Sequence, residues 1–441
     1  MKFGLVIAAL FLISLLSNSA HSAESISSEV DAVYPQAETL YLNLHRHPEL
    51  SSNEQQTAAT LATELRALGY EVTTGVGRTG VVGVLKNGAG PVVLLRTELD
   101  ALPIEEKTGL PYASTVRTKD ASGADILLMH ACGHDVHMSA WAATARIMAK
   151  SRDRWSGTLV LIGQPAEETL SGAAAMMADG LLTRFPRPDY ALAVHNDARY
   201  PAGLIGFHAG PILSNSDTLK VTIFGAGGHG ARPETTIDPV VIAARTVLSL
   251  QTIVSREISP FDAAVVTVGV LRAGNKANII PDEARIDISV RSLSDEVRAH
   301  LLKSITRIVN AEAAAGGATR EPSIERIDGA NALVNDPALT KRLAAALQRE
   351  LGPERVIDIP PEMASEDFSL FPRAGIPTVM LKIGSVEPAK FDAAKKSGAA
   401  LPSLHSPFFA PDRERTIKAA VTAEVLSLRE LMPANHDVSK R

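Results

Sequence analysis

The sequence lacks the features that mark three common classes of protein. Its 441 residues include a single cysteine, so no disulfide can form within the chain. Lys and Arg number 44 against 49 Asp and Glu, a net charge of −5 that provides no basic surface for nucleic acid. The apolar run at residues 3–16 is shorter than the roughly 20 residues that a membrane span needs. We therefore expect no nucleic-acid partner and no stable membrane anchor.

The sequence does contain enough apolar material for a large folded core. Hydrophobic residues make up 45% of the chain and charged residues 21%, which is typical of globular proteins and argues against disorder. Aromatic residues account for only 4%, which disfavours a binding pocket built mainly by stacking. A length of 441 residues predicts two to three domains if a domain has about 150 residues.

The N-terminus has the pattern of a secretory signal peptide. Lys2 precedes the apolar run, and residues 20–22 resemble a small-x-small cleavage site. An uncleaved anchor or a buried helix is the alternative interpretation. We predict a signal peptide over residues 1–23 and an exported protein, either periplasmic or secreted. The single thiol, Cys132, would then be open to oxidation unless something occupies it.

Helical and strand patterns alternate along most of the remaining chain. The residues from Ser51 to Glu54 predict a capping box at the start of a helix that ends at Gly69. A second helix is predicted at 136–150. Short apolar runs of the type found in parallel sheets occur at 81–85, 91–95, 158–162, 190–194 and 377–383. This pattern predicts an α/β domain with a central, mainly parallel sheet flanked by helices.

A different order of elements begins near residue 214. Strands are predicted at 219–224, 264–270, 284–290 and near 322–328, with helices at 239–252 and 295–313. The order β-α-β-β-α-β indicates a small α+β unit of ferredoxin-like type. We predict that this unit, residues 214–328, is inserted into an α/β domain formed by residues 24–213 and 329–441.

Acidic or imidazole side chains follow directly after three of the buried apolar runs. These side chains are Glu98, Asp100, Glu167, Glu168 and His195. Functional sites in open α/β sheets form at the carboxyl ends of the strands, so these groups are expected to share one crevice. Within the Glu167–Glu168 pair, one carboxylate can bind a metal while its neighbour accepts a proton from water. A solvated charged loop is the other interpretation of this pair.

The segment 130–137 adds a thiol and three imidazoles within eight residues. They belong to His130, Cys132, His134 and His137, and Gly133 permits a tight turn between them. Thiolate, imidazole and carboxylate together suit a borderline divalent metal such as zinc or manganese. An isolated histidine is more often a hydrogen-bonded side chain, whereas Cys132 and His134 as a pair indicate a metal site.

The glycine-rich segment 225–230 satisfies the pattern G-x-G-x-x-G and follows a predicted strand. A dinucleotide site is nevertheless excluded, because the next helix begins only near Asp238 and no βαβ unit with an acidic partner follows. What remains is a glycine-rich turn that carries one imidazole, His229.

Taken together, these segments resemble the metal-dependent amidohydrolases related to aminoacylase, hippurate hydrolase and the plant indole-acetyl-amino-acid hydrolases. The matching segments lie in collinear order over nearly the whole mature chain. They are LHRHPELSSNE, RTELDALPIEE, MHACGHDVHM, GQPAEE, GGHGARPETTIDPV, NIIPDEA, MASEDFS and LHSPFF. The combination of HACGHD, PAEE and GGHGA is specific for this family.

The resemblance implies a two-metal centre with Mn²⁺ or Zn²⁺ in a catalytic domain, and a lid or dimerisation role for the inserted unit. The residues that match the family's metal ligands are Cys132, His134, Glu168, His195 and His405. Glu167 matches the general base. His229 matches a lid imidazole that stabilises the oxyanion, often supplied by the partner subunit of a homodimer. Asn278 is a candidate contact for the substrate or the oxyanion.

The implied activity is hydrolysis of the amide bond of N-acyl amino acids or small peptide-like amides by metal-activated water. There are two alternatives. One is a cysteine-nucleophile hydrolase that uses Cys132 with His134 or His137, and the other is a non-catalytic metal or amino-acid binding protein on the same fold. The chain departs from its relatives where Asp197 replaces an aromatic residue. Glu98 stands where related peptidases have a ligand histidine, and Asp100 stands at the position that orients or supports the metal site in them. The roles of Glu98, Asp100 and Glu366 stay open.

Overall fold

The computed structural model describes residues 25–120 and 122–434. The predicted signal peptide, residues 1–23, lies outside the described residues. In the part of the chain that is described, no helix combines the length and apolar character needed to cross a membrane.

Eleven α-helices are found in the described residues. They are α1 (Ile26–Arg46), α2 (Gln55–Ala67), α3 (His134–Lys150), α4 (Gly172–Ala178), α5 (Leu181–Arg184), α6 (Pro239–Thr252), α7 (Asp295–Ala315), α8 (Pro337–Leu351), α9 (Leu370–Arg373), α10 (Pro388–Ser397) and α11 (Arg413–Leu431).

The strands are named in the same way. They are β1 (Glu71–Val76), β2 (Gly80–Asn87), β3 (Val92–Glu98), β4 (Arg117–Lys119), β5 (Asp125–Leu127), β6 (Gly157–Gln164), β7 (Tyr190–Pro201), β8 (Ile205–Phe207), β9 (Gly210–Leu213), β10 (Asn215–Phe224), β11 (Gly228–His229), β12 (Ala264–Ala273), β13 (Ile279–Ile280), β14 (Glu283–Ser292), β15 (Ser323–Ala330), β16 (Leu333–Asn335), β17 (Val356–Asp358) and β18 (Thr378–Val386).

The central sheet has eight strands in the order β1-β2-β6-β3-β7-β18-β8-β17. The four middle strands, β6, β3, β7 and β18, are parallel to one another, which confirms the predicted α/β class. The expectation for 81–85 was wrong in one respect, since β2 pairs antiparallel with both of its neighbours. A continuous apolar run reports burial on both faces of a sheet and carries no information about strand direction.

One face of the sheet is covered by α1, α3 and α11, which share the largest apolar core. A second core lies on the other face, where α4, α9 and the β9/β16 pair pack. Because both faces are covered, the loops at the carboxyl ends of the middle strands are the part of the sheet that remains open to a ligand.

Helix α2 begins where the sequence predicts, but the predicted capping box does not form. Glu54 occupies the N-cap position without a side-chain cap bond. Its buried carboxylate instead accepts hydrogen bonds from the Ala166 amide at 2.8 Å and the Thr79 hydroxyl at 2.5 Å. The Ser51 hydroxyl donates to Asp100 Oδ2 at 2.6 Å. The polar residues before α2 therefore hold the two loops that follow β3 and β6.

The inserted unit forms a four-stranded antiparallel sheet in the order β12-β14-β10-β15. Helices α6 and α7 pack on one face of it around a separate apolar core. Both helices begin at side-chain caps, since Asp238 accepts from the Val240 amide and Ser294 from the Val297 amide. The sheet runs from Asn215 to Ala330, and its topology confirms the predicted ferredoxin-like unit.

A buried carboxyl group at the packing of α11 on α3 makes stability depend on pH. Burial raises the pKa of Glu424 from 4.5 to about 8, although the Thr144 hydroxyl donates to it at 2.5 Å. Between these two pH values the folded chain keeps a proton that the unfolded chain releases, so stability falls as the pH rises. Glu424→Gln is expected to be more stable than the wild type at pH 8, and the gain in the free energy of unfolding should not exceed about 5 kcal/mol.

Urea unfolding at several pH values would measure this gain, which should shrink toward zero as the pH approaches 4.5. Glu414→Gln, an exposed substitution on the same helix, provides the matched control. An equal gain at all pH values would show that Glu424 is not protonated in the folded state.

Candidate metal centre and active site

The predicted metal ligands meet at the carboxyl ends of β3, β6 and β7. His134 Nε2 lies 3.9 Å from an oxygen of Glu168, and His405 Nε2 lies 3.5 Å from the same oxygen, Oε1. The thiol of Cys132 lies 3.5 Å from His195 Nε2. The fold thus brings all five predicted ligands together, although in the sequence the whole inserted unit lies between His405 and the other four.

The backbone around Cys132 and His134 depends on a glycine. Gly133 has φ +80° and occupies the N-cap position of α3, which starts at His134. A Cβ added at this position would lie 1.8 Å from Nδ2 of the Asn196 side chain. Gly133 therefore allows the thiol and the imidazole on either side of it to approach the end of β7.

The buried imidazoles of His134 and His195 are oriented so that their Nε2 atoms face the other predicted ligands. His134 Nδ1 donates to the carbonyl of Asp100 at 2.8 Å, and His195 Nδ1 donates to the carbonyl of Asn196 at 2.8 Å. Hydrogen bonds of this kind fix the ring orientation and tautomer of metal-binding histidines. His134 Nε2 and Glu168 Oε1 are buried and make no hydrogen bond to any described residue.

The donor set fits divalent metal ions. Ligand atoms of Cys132, His134 and Glu168 all lie within 4.8 Å of one another. Burial, and then the Glu168 charge, raise the pKa of the Cys132 thiol, while Cys132 and Glu168 raise the pKa of His405 to about 10. Both groups therefore hold protons that a metal must displace, and a metal is what would make a thiolate stable here.

Asp100 supports the cluster of predicted ligands from outside that cluster. Its Oδ2 accepts from the Glu168 amide at 3.0 Å and from the Ser51 hydroxyl, and its Oδ1 lies 3.5 Å from His134 Nδ1. Asp100 thus positions two of the predicted ligands, which gives this residue the role that the sequence left open.

Glu98 belongs to a buried network that the sequence did not reveal. The carboxylate is bonded to the Arg96 guanidinium and lies 3.0 Å from His137 Nδ1, while His137 Nε2 accepts from the Asn196 amide at 2.8 Å. Both nitrogens of His137 are therefore in use. The network fixes β3 and α3 against β7, and His137 is not available as a base for Cys132.

Arg96 is the cation at the centre of an acidic cluster. Besides Glu98, it donates to Glu366 at 2.6 Å and to Asp367 at 3.2 Å, and its side chain is fully buried. Burial and the neighbouring Glu366 raise the pKa of Asp367 to about 8. The ion pair with Arg96 gives Glu366 a structural role beside the predicted metal ligands.

Glu167 lies between this cluster and the predicted ligands. Its Oε2 is 3.9 Å from His134 Nε2, and its carboxylate groups with those of Glu366 and Asp367. Burial raises the pKa of Glu167 well above the usual value, and the charges of Glu366 and Glu168 raise it further. A raised pKa makes the Glu167 carboxylate a stronger proton acceptor than an ordinary glutamate, which suits it to take a proton from water beside a metal site.

These groups line a cleft of about 910 Å³ between the central sheet and the inserted unit. The residues that line it include Cys132, Glu167, Glu168, His195 and His405, and the inserted unit adds residues from β10 and β14. A cleft of this size accommodates a small molecule.

His229 and Asn278 lie together elsewhere on the inserted unit. His229 pairs with Ile279 across the β11/β13 ladder, and the Gly230 amide donates to the Asn278 carbonyl at 2.9 Å. Both side chains are exposed, and neither belongs to the cleft lining of the same chain. The structure therefore joins these two residues to each other but not to the metal ligands.

Comparison with known proteins decides the family. The profile of peptidase family M20/M25/M40 matches residues 94–398. Hippurate hydrolase of Campylobacter jejuni is 38% identical over 331 residues, covering 74% of this chain and 82% of its own. The chain belongs to the M20 family.

Other members of the M20 family agree in sequence and structure. IAA-amino acid hydrolase ILR1-like 2 of Arabidopsis thaliana is 34% identical over 374 residues, covering 82% of each chain. A dinuclear metal-binding M20 peptidase of Bacillus subtilis superposes with a TM-score of 0.74 at 28% identity, covering 91% of this chain and 99% of its own. The predicted class, a metal-dependent amidohydrolase, is thereby confirmed for this M20 protein.

Proposed function

We propose that this protein hydrolyses the amide bond of N-acyl amino acids or small peptide-like amides. The convergence of the five predicted metal ligands beside the buried Glu167, in a cleft of small-molecule size, carries the proposal. Hippurate hydrolase and the IAA-amino acid hydrolase, whose names describe N-acyl amino acids, support this substrate class.

The proposed mechanism assigns a role to each group that faces the cleft. Cys132, His134, Glu168, His195 and His405 would hold two divalent metal ions, Mn²⁺ or Zn²⁺, which would supply Lewis acidity at the amide carbonyl and the water when bound. Glu167 accepts the proton of that water and delivers it to the leaving nitrogen. An imidazole N–H from His229 stabilises the oxyanion, and Asn278 contacts the substrate.

The surroundings of Cys132 disfavour the cysteine-nucleophile alternative. A nucleophilic thiol needs a lowered pKa, whereas burial raises the pKa of Cys132. A buried base beside the ligand cluster has no purpose in a protein that only binds metal, which disfavours the non-catalytic alternative.

Chelation tests the proposed metal chemistry. Dialysis against a chelator is expected to abolish hydrolysis across a panel of acetyl-, benzoyl-, indole-acetyl- and aminoacyl-amino acids, and Mn²⁺, Zn²⁺ or Co²⁺ should restore it. In parallel, Cys132 should react with a thiol reagent much faster in the metal-free protein than in the metal-loaded one. Full activity without metal, or equal thiol reactivity in both forms, would contradict the assignment.

We also propose that His229 acts in the cleft of a partner subunit within a homodimer. The inserted unit exposes apolar side chains on α6 and on the edge strand β12, with Val241 55%, Leu248 71% and Leu271 50% accessible. Edge strands and apolar patches of this kind favour association. His229 and Asn278 do not line the cleft of their own chain, and a two-fold dimer through this unit would present them to the cleft of the partner subunit.

Mixing two inactive variants tests this arrangement. Glu167→Gln and His229→Asn dimers are each expected to be nearly inactive, and subunit exchange should restore up to about a quarter of the wild-type sites. The recovery occurs because one site of each mixed dimer receives Glu167 from one chain and His229 from the other. If His229 acts within its own chain, mixing restores nothing.

The N-terminal pattern supports the further proposal that the protein is exported to the periplasm or the medium. N-terminal sequencing of protein recovered from the periplasmic and extracellular fractions should find a chain that begins near Glu24. An intact Met1 in the cytoplasmic fraction alone would refute export.

A further inference from the structure

Lys382 is a buried cation in the cleft that the mechanism above does not use. It lies on β18 in register with His195 on the parallel neighbour β7. Residues in register on neighbouring parallel strands are about 4.8 Å apart and point to the same face of the sheet. The side chains of Lys382 and of the predicted ligand His195 therefore enter the same cleft, which both residues line.

The ammonium group of Lys382 is poorly paired for its burial. The residue is 3% exposed. Among the described residues, its Nζ forms an ion pair with Glu362 Oε2 at a distance of 3.6 Å. This distance is longer than a hydrogen bond, and an ammonium group has three N–H donors. Buried lysines are rare unless they are paired. Lys382 therefore presents unused donors to the cleft.

The neighbouring charges do not supply the missing acceptor. Glu362 is shared with Arg199, whose Nε lies 3.1 Å from Glu362 Oε1. Asp197 accepts from Arg199 through both oxygens, at 3.0 Å and 2.7 Å. The carboxylates of Asp197 and Glu362 are directed mainly at Arg199, which leaves Lys382 with N–H donors open to a ligand.

We propose that Lys382 is a specificity-determining residue that binds a carboxylate of the substrate close to the scissile amide; this rests on the proposed function. In an N-acyl amino acid the α-carboxylate carbon lies only about 2.5 Å from the amide nitrogen, because two covalent bonds separate them. A cation beside His195 is therefore within reach of that group when the amide lies at the metal ligands. A carboxylate on the acyl chain would present the same chemistry.

Three substrates distinguish the two sources of the carboxylate. N-acetyl-L-alanine has only the α-carboxylate, N-succinyl-L-alaninamide has only an acyl carboxylate, and N-acetyl-L-alaninamide has neither. Release of acetate or succinate is measured with the metal-loaded wild type and with Lys382→Met. KM is expected to rise about 10- to 100-fold for the substrate whose carboxylate Lys382 binds, with a smaller change in kcat. KM for N-acetyl-L-alaninamide should change little.

The pattern of losses assigns or rejects the role. A loss confined to N-acetyl-L-alanine places the α-carboxylate on Lys382, and a loss confined to N-succinyl-L-alaninamide places the acyl carboxylate there. An equal loss for all three substrates, the neutral one included, would overturn the proposal. Lys382→Arg should retain the preference for a carboxylate. Lys119→Met, which removes a lysine from an exposed ion pair, is the matched control.

Further measurements keep the test independent of folding and of turnover. Melting temperature and metal content show whether Lys382→Met is folded and still binds metal. A wild type that prefers neither carboxylate substrate over N-acetyl-L-alaninamide would overturn the proposal without any variant. If the wild type hydrolyses none of the amides, the proposed function fails. Calorimetric binding of N-acetyl-L-alanine and N-succinyl-L-alaninamide to the metal-loaded wild type and Lys382→Met then tests the cation alone, and unchanged affinity for both would reject it.

Discussion

Glu167→Gln is expected to lower kcat by about 10²- to 10⁴-fold while the metal content stays unchanged. The amide of glutamine has nearly the shape of the carboxylate but cannot accept a proton from water. Glu167 is not one of the five predicted ligands, so the ligand set survives the substitution. Because the buried position is already unfavourable for a charge, the folded protein should not lose stability.

Steady-state kinetics on an N-acyl amino acid, with metal analysis of the same samples, provide the measurement. Glu105→Gln makes the same change in an exposed residue that pairs with Lys107, and it should leave kcat as in the wild type. Loss of metal from Glu167→Gln would make Glu167 a ligand, and an unchanged kcat would remove it from the mechanism.

Arg96→Met is expected to destabilise the protein by about 3–5 kcal/mol, because it removes the cation from a buried acidic cluster. Glu98, Glu366 and Asp367 would remain buried without their shared partner. Methionine fills much of the same volume, so the loss would come from charge and hydrogen bonding rather than from a cavity. Urea unfolding measures the difference.

Two other arginine substitutions sharpen this result. Arg96→Lys keeps the charge but loses the planar fork that contacts several carboxylates at once, so an intermediate loss is expected. Arg184→Met breaks an exposed ion pair with Asp179, which should cost at most about 1 kcal/mol. If Arg96→Met were as mild as Arg184→Met, the cluster would contribute nothing to stability.

Much of the fold was predictable because local patterns decide it. The alternation of apolar runs and helical segments indicated the α/β class, and helix α6 begins and ends at the predicted residues. Strand direction was not predictable for β2, since burial on both faces gives the same apolar run in either orientation. The polar residues before α2 were misjudged for a related reason. Glu54 accepts one local hydrogen bond, from the Ser52 amide, but its other two donors, Thr79 and Ala166, are far away in the sequence.

The candidate site shows the same division. Its proposed ligands could be named because they lie in short motifs, whereas the network that supports them joins distant segments. Arg96 and Glu366, for example, are 270 positions apart. Lys382 differs from this network, because the sequence around it does indicate a function. It is a charged residue inside the apolar run 377–383, and a charge in a strand that is otherwise buried on both faces needs a reason.

The order of the proposed ligands along the chain has a consequence for the stability of the whole protein. Cys132, His134, Glu168 and His195 precede the inserted unit and His405 follows it, so ligation closes a chain loop of more than 200 residues between His195 and His405. Cross-links that close long loops reduce the entropy of the unfolded chain. Bound metal would therefore act as a removable staple between the two halves of the α/β domain, and the unfolding midpoint should follow the free metal concentration.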